Sequence, residues 1–402
     1  MKPVRALGCS LALLLMGSAC GPGGNPTPSS GSTSAQPSPS AVSPTSTSTT
    51  GTSCAQVVFA RLSDAQRVGQ LFIVGLRGDR LGPADMHAIL ADHFGSVTFI
   101  EPTSVGVQGV RRVADAVQAL ATNQNTGSVR FFVAANQEGG QIQSLQGPGF
   151  SRIPSALAQG RLPAPTLQAD ALSWGRQLLS AGVNFELAPV MDVVPPGTDP
   201  QNAPIGALQR EFGHDPSTVG THGVAFLRGM QRARLATSAK HFPGLGRVRG
   251  NTDFTGNVVD RVTTANDPYL QPFRDAIAAR VPFVMVALAT YTRIDPNHLA
   301  VFSPTVMAIL RGRMAFRGVI VSDDIGAARA IAQIPIGRRA VDFLAAGGDM
   351  IISKFTGPAV VMEAAILSRA AADPAFRAMV DQAVLRVLRA KAASGLLPCA
   401  GA

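Results

Sequence analysis

Two adjacent carboxylates, Asp323-Asp324, stand directly after the apolar run GVIVS. Neighbouring side chains at a strand end point in different directions, so one can face a pocket while the other caps the following helix, where free N–H groups and the dipole favour an anion. Asp323 is assigned to the pocket and Asp324 to the helix start. A second string, Lys240-His241-Phe242-Pro243-Gly244, closes the run that begins at Ala236. It offers a cation and a neutral donor, suited to hydroxyl groups, as on a sugar, or to a carboxylate ligand. Asn136-Gln137-Glu138-Gly139-Gly140 and Pro189-Val190-Met191-Asp192 follow apolar runs in the same way. Burial alone does not favour polar groups at such places.

The apolar runs are the elements that must position these groups. They are Leu71–Leu76, Ser96–Ile100, Arg130–Ala135, Asn184–Val190, Ala236–His241, Phe283–Ala289, Gly318–Ser322 and Met350–Ser353. Most are apolar on both faces, as parallel strands covered by helices should be. Amphipathic segments lie between them: Pro83–His93, Val107–Asn123, Leu167–Ala181, Pro216–Arg232, Asp267–Ala279, Ser303–Arg313 and Arg338–Ala346. Eight strand–helix units predict an α/β fold, a single (β/α)8 TIM barrel. A doubly wound open sheet is the alternative, but no Gly-rich phosphate loop follows the first run. In a barrel the working residues lie at the C-terminal strand ends, where the four polar strings stand. The segment Asp373–Ala393 reads as the last helix of the wall with a solvated basic side; a membrane-surface helix is the competing reading.

The 402 residues are 46% apolar, enough for a large core. Net charge is +10, or +8 without Lys2 and Arg5, and the basic residues are scattered rather than clustered with aromatics. That pattern excludes a nucleic-acid binder. The longest apolar stretch near the start, Ala6 to Ala19, is too short to span a bilayer. It reads instead as an export leader, residues 1–19, with small residues before Cys20 in the manner of a bacterial lipobox. Cys20 would then carry the lipid, anchoring the protein to the outer face of the cytoplasmic membrane. Residues 20–53 form a Ser/Thr/Pro-rich tether without charge, and residues 54–402 the folded domain. The folded part retains Cys54 and Cys399, one at each border, and a disulfide between them is expected in an oxidising compartment; two free thiols are the other reading. With neither HExxH nor CxxC and six dispersed histidines, no metal or other cofactor is expected.

The strings APVMDV, IGALQREFG, SAKHFPGLG and FRGVIVSDDIGAA, spread over about Leu62 to Leu397, resemble glycoside hydrolase family 3, specifically its one-domain β-N-acetylhexosaminidases of the NagZ type. The resemblance implies that Asp323 is the nucleophile and that Arg210, Lys240 and His241 bind the sugar. Where the family commonly has Asp after the third strand this chain has Asn136, which still bonds hydroxyls but carries no charge. A larger departure concerns the proton donor. Such enzymes carry KHFPGHGDTxxDSH with an Asp-His dyad, and this chain reads KHFPGLGRVRGNTD, placing Asn251 and Asp253 at the dyad positions. Asp253 is the direct substitute as acid/base, if the closed site raises its pKa; otherwise it is a loop-capping carboxylate.

The reaction implied is retaining release of a terminal β-linked N-acetylglucosamine through a glycosyl-aspartate, with peptidoglycan fragments as substrate and the protein a monomer. Substrate-assisted attack by the acetamido group needs a further acid beside Asp323-Asp324, which Ile325 does not provide. Aromatic residues make up only 5% of the chain, so a small end-sugar pocket is expected rather than a long stacking groove. A phosphorylase, a hexosidase for sugars without the acetamido group and an inactive carbohydrate-binding lipoprotein are the competing readings.

Overall fold

The computed structural model describes residues 53–77 and 80–399. The expected leader, the lipidated Cys20 and the tether up to residue 52 lie outside the described residues.

Eight parallel strands close into a barrel: β1 (Phe72–Leu76), β2 (Ser96–Phe99), β3 (Phe132–Ala135), β4 (Phe185–Glu186), β5 (Ala236–Phe242), β6 (Phe283–Val286), β7 (Val319–Asp324) and β8 (Met350–Ser353). Each overlaps one of the apolar runs. They pair in chain order, and β8 returns to β1 through Phe72↔Ile351 and Ile73↔Ile352. Burial on both faces is nearly continuous along them, because helices cover the outside and side chains fill the inside. Phe132 and Phe283 come from strands three places apart, yet their ring centroids lie 5.5 Å apart. Only the barrel interior allows that contact. Phe185 completes the cluster at 4.3 Å from Phe283, and each such ring withdrawn from water contributes about 1.5–3 kcal/mol.

The covering helices begin where the sequence offers caps. Asp215 accepts from the Thr218 N–H at 2.9 Å ahead of Pro216–Arg232, and Asp373 caps Pro374–Ala393 with Pro at the first turn. Several elements were not anticipated. Two short N-terminal helices, Cys54–Arg61 and Asp64–Gly69, precede β1, and a 17-residue helix, Thr356–Ala372, separates β8 from the last helix. A small sheet of Val259–Asp260, Thr290–Tyr291 and Asp295–Leu299 gathers the loops after β5 and β6. Cys54 and Cys399 form a disulfide with Cα atoms 6.0 Å apart.

The last helix belongs to the wall, but its basic side is not wholly solvated. Lys391 is fully buried, its Nζ donating to Gln70 Oε1 and to the Gly95 carbonyl, both at 2.7 Å. Gln70 and Gly95 precede β1 and β2, so the ammonium closes the N-terminal end of the barrel, opposite the polar strings. Burial pushes its pKa down to about 7. Arg386 from the same helix donates to Asp349 at 2.8 Å. The expectation failed because helical periodicity identifies an inward stripe but does not show that a cation there can reach carbonyls across the barrel floor.

Candidate active site

At the C-terminal ends of the strands lies a cavity of about 340 Å³ whose wall includes Asn136, Arg210, Lys240, His241, Asp253 and Asp323. These six residues come from distant parts of the chain, and the barrel alone brings them together. Asp323 occupies the penultimate position of β7 and is half-buried. Its Oδ1 accepts from the Asp324 N–H at 2.8 Å, and among the described residues no side chain bonds its Oδ2. Asp324 also reaches the wall of the cavity, but its Oδ1 caps the turn at Gly326 and Ala327 (3.0 and 3.2 Å) and accepts from the Lys354 N–H at 3.1 Å. The segment after it is a turn and a short 3-10 helix rather than a regular helix. Burial raises the Asp324 pKa, partly offset by Lys354.

Beside Asp323 stands a charge cluster centred on Glu138. Arg210 grips Glu138 with two bonds of 2.8 Å, and Lys240 Nζ lies 2.6 Å from its Oε1. Burial alone would favour the neutral acid, but the two cations overcome it and hold the Glu138 pKa down at about 2. Lys240 also donates to Asn136 Oδ1 at 2.8 Å, so the neutral residue at that position is fixed by an ammonium. Burial works against the charge on Arg210 and Glu138 more than offsets it, raising its pKa. Its loop fits because Gly160 has no side chain: a Cβ there would lie 1.6 Å from the Phe212 carbonyl.

His241 is oriented from behind. Asp192 Oδ2 lies 2.8 Å from its Nδ1, while Asp192 Oδ1 accepts from the His241 and Leu245 N–H groups. A carboxylate on Nδ1 fixes the proton there and leaves Nε2 as the outward acceptor. Asp253 sits on the loop after β5, its N–H donating to Asn251 Oδ1 at 3.0 Å. Lys354 Nζ donates to Asp253 Oδ2 at 3.1 Å and approaches Asp324 Oδ2 at 3.8 Å. Burial opposes the charge on Lys354, but Asp253, Asp324 and Asp323 together raise its pKa.

Both the sequence and the fold match known proteins. Residues 65–390 match the Glycosyl hydrolase family 3 N-terminal domain. The chain belongs to glycoside hydrolase family 3. As a member of that family it is a glycoside hydrolase, and its relatives are consistent in kind. A beta-hexosaminidase from Alkalilimnicola ehrlichii is 31% identical over 291 residues, covering 70% of this chain and 79% of that protein. The crystal structure of a beta-N-acetylhexosaminidase from Beutenbergia cavernae superposes with a TM-score of 0.81 at 45% identity, covering 82% of this chain and 99% of that one. LpqI of Mycobacterium tuberculosis gives 0.70 at 26% identity, covering 83% and 95%.

Four ionisable residues at this site were absent from the sequence-predicted set. Glu138 and Asp192 stood inside the polar strings without a role, because sequence does not show which cation a carboxylate meets. Lys354 had a usable signal, since it follows β8 directly and the strand-end rule applies to it as well. Glu186, at the end of β4, lies beneath the cluster: it is fully buried, and its Oε1 accepts from the Gln137 N–H at 2.8 Å. Burial pushes its pKa up to about 8.

Between pH 4.5, its ordinary value, and about 8 the folded chain therefore keeps a proton on Glu186 that the unfolded chain has released. This group's contribution to stability falls as pH rises through that window. Glu186→Gln should remove its share of the slope. In urea unfolding the variant should gain a few kcal/mol on the parent between pH 5 and pH 9. An unchanged difference between the two proteins at these pH values would refute the assignment.

Proposed function

We propose that the protein is an exo-acting, retaining β-N-acetylglucosaminidase that removes a terminal N-acetylglucosamine from peptidoglycan fragments. The observation that carries this reading is the position of Asp323, half-buried in the cavity wall with one oxygen held by a backbone N–H and the other without a partner among the described residues. A carboxylate so held is oriented for attack. Asp323 Oδ2 would form a bond to the anomeric carbon as the bond to the leaving oxygen breaks. The Asp253 carboxyl group would give its proton to that oxygen. Water then attacks the same carbon, Asp253 takes back a proton, and the ester bond to Asp323 breaks to release the sugar. Lys354 Nζ bonds Asp253 Oδ2 and approaches Asp324 Oδ2, so proton delivery by Asp253 requires the bound substrate to draw this ammonium away from it. The names of the relatives support the sugar, and the size of the cavity suits one terminal unit.

Peptidoglycan as the polymer is inferred from location. The leader and Cys20 suggest a lipoprotein held by a Ser/Thr/Pro tether on the outer face of the cytoplasmic membrane, and peptidoglycan is the polymer there that contains this sugar. Chromogenic N-acetylglucosaminide and glucoside, each with and without phosphate, test the reading directly. Hydrolysis of the former, indifferent to phosphate, is expected. Preference for the glucoside, dependence on phosphate or no turnover would each replace the proposal with a different function. Asp253→Ala should lower turnover of a poor leaving group by about 10²–10⁴-fold. Azide should restore activity on an activated leaving group by taking the vacated space, yielding the glycosyl azide. An Ala variant with full activity on the poor leaving group would remove Asp253 from the mechanism.

A further inference from the structure

Behind the Arg210 loop, Glu211 turns away from the cavity and is fully buried. Among the described residues neither of its oxygens has a hydrogen-bond partner, and Asp199 Oδ1 has none either. His214 completes the group: its Nδ1 lies 3.6 Å from Asp199 Oδ1, and one ligand atom from each of the three residues falls within 4.8 Å of the others. A buried carboxyl group with two empty oxygens, aimed at a second carboxylate, is costly unless something positive occupies the space between them. No Lys or Arg side chain of the described residues bonds either acid.

We propose that Asp199, Glu211 and His214 form a binding site for a divalent cation of the zinc class. The donor set decides the class. Two carboxylates with an imidazole suit Zn²⁺, whereas Ca²⁺ and Mg²⁺ take oxygen ligands. Tetrahedral zinc at its usual ligand distances needs donor atoms roughly 3.3 Å apart. The Asp199–His214 separation, 3.6 Å, is already close to that, and the remaining separations, all within 4.8 Å, close with at most about 1.5 Å of side-chain movement. Binding takes both acids as carboxylates and places the ring proton of His214 on Nε2. Nδ1 then gives up its 3.3 Å contact with the Val194 carbonyl and turns its lone pair to the metal. Water fills the remaining position, reached from solvent through the part-exposed Asp199 and His214.

The ion would tie the 3-10 turn Asp199–Gln201 to the residue next to Arg210. It would act on the arginine loop as a clamp, remote from the reacting atoms. Metal-stripped protein without a histidine tag, titrated with Zn²⁺ against a chromogenic chelator, should bind about one equivalent and melt at a higher temperature. His214→Ala changes a part-exposed residue, and should weaken binding by at least about tenfold and abolish the thermal shift. Asp323→Asn should leave both unchanged, which separates this site from the carboxylates of the cavity. Glu211→Gln should resemble His214→Ala. A parent protein that binds no zinc, or a His214→Ala variant that binds as tightly as the parent, would overturn the proposal in favour of two acids sharing a proton.

Discussion

Asp323→Asn is expected to lower kcat/KM by roughly 10⁴-fold or more while leaving the fold and sugar affinity in place. The amide is the same size and can keep the bond from the Asp324 N–H, so the geometry around it persists. What it loses is the ability to form an ester with the anomeric carbon. Arg210, Lys240 and His241 are untouched, because none of them bonds Asp323. Turnover should therefore collapse while binding of N-acetylglucosamine, followed by calorimetry, changes little. A fluorinated sugar with a good leaving group should label the parent on the peptide containing Asp323. A label on another residue, or an Asn variant as active as the parent, would end the covalent account.

Glu138→Gln should produce the largest loss of stability among the site substitutions, about 3–5 kcal/mol at neutral pH. Arg210 and Lys240 both lean on this one carboxylate from within a buried cluster, and the amide leaves two cations with no counter-charge. The pH dependence distinguishes this cause from general damage. Glu138 ionises near 2 when folded and near 4.5 when unfolded, so its stabilisation is fully present above pH 4.5 and is lost as pH falls towards 2. In urea titrations the parent should lose its lead over the variant between pH 4.5 and pH 2. Equal deficits at pH 7 and pH 2.5 would show that packing, rather than charge, accounts for the loss. Arg210 and Lys240 would also shift, since the carboxylate is what holds them in place.

The two substitutions draw on different kinds of information. Asp323 was legible from the chain because a carboxylate immediately after GVIVS breaks the pattern of a buried strand, and the break falls where a barrel opens. The eight strands were legible for a related reason. A strand buried on both faces must be apolar along its length, so composition alone marks it. Glu138 carried no comparable mark. Its importance depends on Arg210, 72 positions away, and Lys240, 102 positions away, and pairing at that separation leaves no local trace. The helix Thr356–Ala372 was missed because its apolar residues are spread around its circumference, leaving little amphipathic signal.

Lys391 and Glu211 extend the point. Each is a charged residue in a segment that reads as ordinary, and each is fully buried. On the helix, Lys391 looked like part of a solvated face; the barrel floor supplies the carbonyl and amide oxygens that accept its bonds. Glu211 stood in a string read only for its arginine, and its meeting with Asp199 and His214 depends on how the long connection between β4 and Pro216 folds back on itself.

By itself, then, the sequence determined the strand count, the end of the barrel where chemistry could occur and the residue types available there, because periodicity and its interruptions are properties of neighbouring residues. Tertiary structure alone decided which charges neutralise one another: the grip on Glu138, the carboxylate behind His241, the ammonium between Asp253 and Asp324, and the two open acids behind Arg210. Coulomb energy and desolvation depend on distance and burial in space, and neither is fixed until the chain has closed on itself.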